Sequence, residues 1–255
     1  MKKLILLILC CLVCCASGFC TTQAGFSVSE DTKVVFSEGN VQYHPKKDMW
    51  RFAPNQYDII GKANKDVSSS YNGWVDLFGW KDSKDITIND RPFSGGWRIL
   101  TSREWEYLLF KRKNAINLVG LGILNNVIGL ILLPDNMKVE GKIDFVSFLD
   151  ENVQLAGHRF LFEQQRLLKN HYIGKQWRKL ENLGAVFCPL VISTTSEEEK
   201  SNTLLGSYWT NDIDPACIGR YYAVSLSLNN IYAQESLTNK VSSAVRLVRD
   251  IDNKK

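Results

Sequence analysis

The residues best suited to chemistry cluster between positions 206 and 222. Two strand-like segments, GSYWTN and RYYAVSLS, bracket the loop DIDPACIG. The loop combines acids, a proline and a glycine with no apolar period, so it is expected to run over the surface. Strand alternation sends Tyr208 and Trp209 to opposite faces, and Tyr221 and Tyr222 likewise. One aromatic of each pair can then face outward beside Asn211 and Asp212, joining an apolar platform to hydrogen-bonding groups. Such a surface suits a sugar ring or a protein edge, but it supplies no nucleophile. The competing reading buries Trp209 and one of the two tyrosines as structural residues.

Other chemistries find less material. Asp82 and Asp85 lie in the aromatic loop GWVDLFGWKDSKD, and Asp212 and Asp214 in TNDIDP. Either pair could ligate calcium, which takes hard oxygens and tolerates loop geometry. Solvated turn carboxylates are the competing reading. His44, His158 and His171 are the three histidines; none stands at zinc spacing, and no His-Glu-x-x-His run occurs. No Gly-x-Ser-x-Gly elbow or phosphate-cradling glycine loop is visible. Of seven cysteines, Cys10, Cys11, Cys14, Cys15 and Cys20 precede residue 21. Cys188 and Cys217 remain, either as one disulfide or as two buried thiols, because spacing alone gives no Cα distance.

Those early cysteines belong to an expected export signal. Lys2 and Lys3 precede an apolar run from Leu4 to Val13, too short to span a bilayer comfortably, and small residues follow at 16–18 and 22–24. Residues 1–24 are read as the signal and 25–255 as one domain, located in the periplasm, at the outer-membrane surface or outside the cell. A retained anchor is the alternative, and lipid attachment at Cys15 or Cys20 would be the one link to a membrane. The formal charge is +4, and removing Lys2 and Lys3 leaves +2, which offers no electrostatic case for a nucleic-acid partner.

The elements that must position the loop are legible from local signals. Val34–Phe36, Val41–Tyr43 and Trp50–Phe52 read as short strands. The aromatic loop is expected to be pinned by Trp74, Leu77, Phe78 and Trp80. In GGWRILTSREWEYLLFKR, Gly95 and Gly96 allow a tight turn before the strand Trp97–Ile99. Thr101 and Glu104 form a capping box, and Trp105, Leu108 and Leu109 share one helix face with Arg103, Glu106 and Lys111 elsewhere. The KRK cluster at 111–113 complements the helix dipole. Residues 119–134 read as a hairpin turning at Asn125–Asn126. The segment HRFLFEQQRLLKN suggests a helix, and a second amphipathic helix covers 173–183, with Ile173, Trp177 and Leu180 on its apolar face. AVFCPL and the C-terminal segments read as strands.

Together these segments resemble a known family. GGWRILTSREWEYLL is similar to the Gly-Trp-Arg-Leu-Pro-Thr…Glu-Trp motif of formylglycine-generating-enzyme-like domains, which have a C-type-lectin-like core. LGAVFCPL, GSYWTNDIDP, RYYAVSLS and SAVRLVRD resemble, in order, the later motifs of the bacterial branch named the Fibrobacter succinogenes major paralogous domain, exported proteins and lipoproteins of a Bacteroidetes type. The resemblance weakens over 138–171, where an insertion is expected. Leu100 stands where the motif has Pro, and Leu247 where many relatives have Cys.

The resemblance implies an α+β fold of short irregular strands with two main amphipathic helices, and places Trp97, Trp105 and Trp177 in the core. Loops near the C-terminal strands often carry the ligand surface in lectin-like folds, and calcium occurs in relatives. The formylglycine-forming members bind copper through two cysteines close in sequence near the C-terminus, whereas here Cys217 is alone in that region. The expected function is therefore a non-catalytic, exported binding or surface protein for a carbohydrate or protein ligand. A divergent enzyme of the same fold and a structural subunit of an envelope assembly are the alternatives.

Overall fold

The computed structural model describes residues 24–61, 64, 68–80, 93, 95–138, 144–147, 154–156, 159–161, 169–190, 204–227, 230–238 and 241–251. The leader with its five cysteines, Asp82, Asp85, His158 and most of the expected insertion lie outside that set. The chain is α+β and strand-rich, and no helix among the described residues is long and apolar enough to cross a membrane.

Four short strands open the chain: β1 (Phe26–Ser27), β2 (Lys33–Phe36), β3 (Val41–His44) and β4 (Met49–Phe52). The described part of the aromatic loop, 73–80, follows and is tied in by isolated bridges from Val75 to Tyr43 and from Phe78 to Ser243. Leu77, Phe78 and Trp80 are buried there as expected, while Trp74 is half-buried beneath Arg51, whose guanidinium carbon lies 3.8 Å from the ring centroid. Gly95 and Gly96 then take φ of +93° and +77°, a turn that side chains with a Cβ resist, and β5 (Trp97–Ile99) begins.

Helix α1 (Ser102–Glu106) starts at the capping box. Glu104 N donates to Thr101 Oγ1 at 3.2 Å, and Thr101 N donates back to Glu104 Oε2 at 2.8 Å. The helix widens into a π turn over Tyr107–Lys111, then ends where Arg112 Nε donates to Leu108 O at 2.8 Å. Trp105, Leu108 and Leu109 are buried, but so is Glu106, which is ion-paired to Lys111 at 2.9 Å.

A short helix α2 (Ala115–Leu118) leads into the hairpin of β6 (Val119–Leu124) and β7 (Val127–Leu132). Asn125 and Asn126 both have positive φ, the geometry of a two-residue turn matched to strand twist. Next come β8 (Gln154–Ala156), β9 (Arg159–Leu161) and β10 (His171–Tyr172). The helix expected over 158–170 is therefore corrected at its start. Residues 159–161 pair with a distant strand edge, and that pairing overrides a local helical period. Helix α3 (Gly174–Glu181) buries Trp177 and Leu180, whereas Ile173 sits outside it as N-cap and is 59% exposed. The strands β11 (Val186–Pro189), β12 (Leu204–Ile213), β13 (Arg220–Ser227), β14 (Asn230–Thr238) and β15 (Leu247–Asp250) complete the chain.

The strands assemble into sheets ordered β1-β2-β15-β5, β10-β6-β7-β11 and β12-β13-β14-β9-β8, with β3-β4 as a separate ribbon. In the first, Val248 faces Phe36 on one side and Arg98 on the other, so the C-terminal strand sits between two N-terminal ones. Three apolar clusters result. Trp105, Leu108, Leu121, Leu130, Cys188, Tyr208 and Val248 join the first; Val75, Phe78, Trp80, Trp209, Tyr221 and Leu247 the second; Leu124, Ile131, Trp177 and Phe187 the third. Trp97 is half-buried against Phe52, at 5.2 Å between ring centroids, rather than deep in a core. Strand β12 runs between the first two clusters, and this placement governs the candidate site.

Candidate functional site

Alternation along β12 holds, but at Tyr208 and Trp209 neither of its faces is open. Tyr208 points into the first cluster, where its hydroxyl donates to Pro189 O at 2.5 Å and accepts from Asn40 Nδ2 at 3.1 Å. Trp209 points into the second, where Nε1 donates to Phe78 O at 2.6 Å and the ring lies 5.7 Å from Trp80. Both are 1% exposed, so neither can form a surface platform. Tyr221 is buried against Trp80 as well, at 5.3 Å. The physical reason is the aromatic loop, which covers the face that alternation would otherwise have left to solvent.

Asn211, Asp212 and Tyr222 remain at the surface or near it. Asn211 is exposed, with its N–H donating to Leu100 O at 2.9 Å. Asp212 Oδ2 accepts a short bond from the Ser102 amide at the start of α1. Beyond an irregularity in register between Trp209 and Ile213, the chain turns through the loop 214–219. Asp214 organises that loop. Its carboxylate accepts from Ser236 Oγ at 2.5 Å, Ala216 N at 2.9 Å and Tyr222 OH at 3.3 Å. The Ser236 hydroxyl and then the Ala216 amide hold the Asp214 pKa below the usual carboxylate range. Burial first, and the Asp214 charge second, raise that of Tyr222. The Asp212 and Asp214 oxygens thus serve as acceptors for the chain's own donors. No group of three or more metal-ligating side chains gathers among the described residues.

Cys188 and Cys217 do not form a disulfide. Cys188 is enclosed in the first cluster, where burial pushes its pKa up to about 11 despite the nearby Arg246, while Cys217 is exposed on the loop. A thiol sealed in the core cannot share a copper ion with one in solvent. The strands β11 and β12 that flank the first cluster bring Cys188 to Tyr208, not to the loop.

Between α1 and the 214–222 segment lies an open cleft of 540 Å³. Tyr107 and Tyr222 offer aromatic surface in it, with Ser102, Arg103, Gln234 and Pro215 around them. Of the residues singled out in the sequence, Tyr222 lies in this cleft and Asp212 anchors its wall through Ser102. The sequence reading missed Ser102, Arg103, Tyr107 and Gln234 as site residues. Helical spacing already turned Arg103 away from the Trp105 face, and Tyr107 four residues later shares that outer side. Nothing local joins them to Gln234, which arrives on β14.

No family model, curated protein or solved structure matches the chain.

Proposed function

We propose that this protein is an exported, non-catalytic binding or surface protein with a formylglycine-generating-enzyme-like, C-type-lectin-like fold, and that the cleft beside α1 receives a carbohydrate. One observation carries the reading: two partly exposed tyrosines share an open cleft with polar side chains, beside a sheet in which Tyr208, Trp209 and Tyr221 are buried. Aromatic faces stack on the apolar side of a sugar ring while side-chain donors meet its hydroxyls. The shallow form suits a ligand bound at its edge.

Binding is tested by calorimetry of the chain from residue 25 against a panel of oligosaccharides, with Tyr222→Ala as the control. The expected result is a saccharide whose affinity falls in Tyr222→Ala while the melting temperature is unchanged. Equal binding by Tyr222→Ala would move the site elsewhere. Mass spectrometry of protein from its native cells tests export, and an intact Met1 in a cytoplasmic fraction would refute it.

A protein ligand is the second reading, favoured by the loop tip. Ile218 is fully exposed on the loop fixed by Asp214, and Ile213, at the end of β12 beside it, is 65% exposed. Aliphatic side chains in solvent suit a protein surface better than a sugar.

A further inference from the structure

Charges and hydrogen-bonding groups around the cleft are divided unequally. Its carboxylates are engaged. Glu104 takes two bonds from Arg98, at 2.9 and 2.7 Å, as well as those of its capping box. Glu106 is paired with Lys111 at 2.9 Å. At the margin, Asp212 is held by the Ser102 amide, and Asp214 by Ser236, Ala216 and Tyr222.

Four other polar side chains are not engaged. The Ser102 hydroxyl, Arg103 guanidinium, Tyr107 hydroxyl and Gln234 amide make no hydrogen bond or ion pair among the described residues, and all four residues line the cleft. Ser102 is the most telling of them. It is only 3% exposed, yet its hydroxyl has no hydrogen-bond partner among the described residues, and it borders the cleft. That oxygen is not sealed from solvent, so a ligand in the cleft can reach it. Arg103 is exposed and is the one charged side chain of the lining without a counter-charge among the described residues.

We propose that the saccharide bound here is acidic, with a ring carboxylate or sulfate set against Arg103 and Ser102 while Tyr107 and Tyr222 flank the ring. This rests on the reading of the cleft as a carbohydrate site. With the lining carboxylates engaged and the Arg103 charge uncompensated among the described residues, the cleft is complementary to an anionic group on a ligand. A planar carboxylate also matches the guanidinium fork, which a neutral hydroxyl does not.

The test titrates the chain from residue 25 with an oligogalacturonide, its methyl ester and a sulfated oligosaccharide of equal length. The ester keeps the ring and removes the charge. The acid form is expected to bind roughly fivefold tighter than the ester in low salt, with the gap closing as salt rises. Arg103→Gln should abolish that preference by weakening the acid form more than the ester, with unchanged melting as the folding control. Binding of the sulfated sugar with no preference for the uronate would assign the acid group as sulfate and keep the inference. Equal affinity for acid and ester with no gain from sulfate would overturn it and leave the carbohydrate reading standing. Retained preference in Arg103→Gln would overturn it too. Absence of binding by every sugar would sink both together.

Discussion

Replacing Asp135 by Asn removes one charge from a site that ties three distant parts of the chain together. Asp135 Oδ1 lies 3.0 Å from Arg112 Nη1, and Oδ2 accepts from Ser27 Oγ at 2.7 Å and from Lys33 Nζ at 3.1 Å. The Lys33 side chain is 47% exposed, so its contact contributes no more than about 1 kcal/mol. The Arg112 side chain is 1% exposed, and a buried cation stripped of its partner typically costs about 3–5 kcal/mol. Leu108 O still accepts from Arg112 Nε at 2.8 Å, and the new amide oxygen can do the same, so the expected loss is near the low end, about 3 kcal/mol. Burial acts against both ions. It outweighs pairing for Arg112 and lowers its pKa, whereas for Asp135 the bonds from Ser27, Lys33 and Arg112 outweigh burial and hold the carboxyl below its ordinary range. Arg112 stays charged at every accessible pH, so Asp135 alone titrates. Its folded pKa lies below the unfolded value of about 4, so its stabilisation is present above that pH and is lost as pH falls through the folded pKa.

Urea unfolding followed by tryptophan fluorescence reads this as a lower midpoint at unchanged slope. The gap between the native chain and Asp135→Asn should be constant above about pH 5 and shrink in acid. Adding Arg112→Met to Asp135→Asn should recover part of the loss, because the uncompensated charge leaves the core. A variant within about 0.5 kcal/mol of the native chain, or a double variant whose losses simply add, would refute the reasoning.

The remaining predictions concern local geometry. Thr101→Ala should lower stability by about 1 kcal/mol through the lost cap, seen as a lower urea midpoint, with Thr101→Ser close to the native value. Gly129→Ala should be far more damaging than an ordinary strand substitution, because the added Cβ would lie 2.3 Å from Phe187 Cζ; a melting temperature within a degree or so of native would contradict this packing. A thiol reagent should label Cys217 promptly and Cys188 only with unfolding, since the latter is buried and its pKa is raised. Mass spectrometry counting two fast labels on the folded chain from residue 25, which holds only these two cysteines, would show the first cluster to be open.

What the sequence determined by itself is local. The Thr101–Glu104 box needs only four consecutive residues, and both of its bonds are present. The Asn125–Asn126 turn, the strands at 33–36, 41–44 and 49–52, and the burial of Trp105 and Trp177 were likewise readable from propensity and period. Alternation correctly placed Tyr208 and Trp209 on opposite faces of β12. Whether each face meets solvent is a different matter, settled by segments far away in the chain. Phe78 and Trp80 close over Trp209, while Asn40 and Pro189 close over Tyr208. The same remoteness hid the cleft, because Arg103 and Tyr107 on a helix meet Tyr222 and Gln234 on strands only after the sheet has formed. It also separated Cys188 from Cys217, one enclosed by β11 packing and the other carried out on the Asp214 loop. Period and propensity act over a turn or a strand, whereas exposure depends on what the rest of the chain packs against each face.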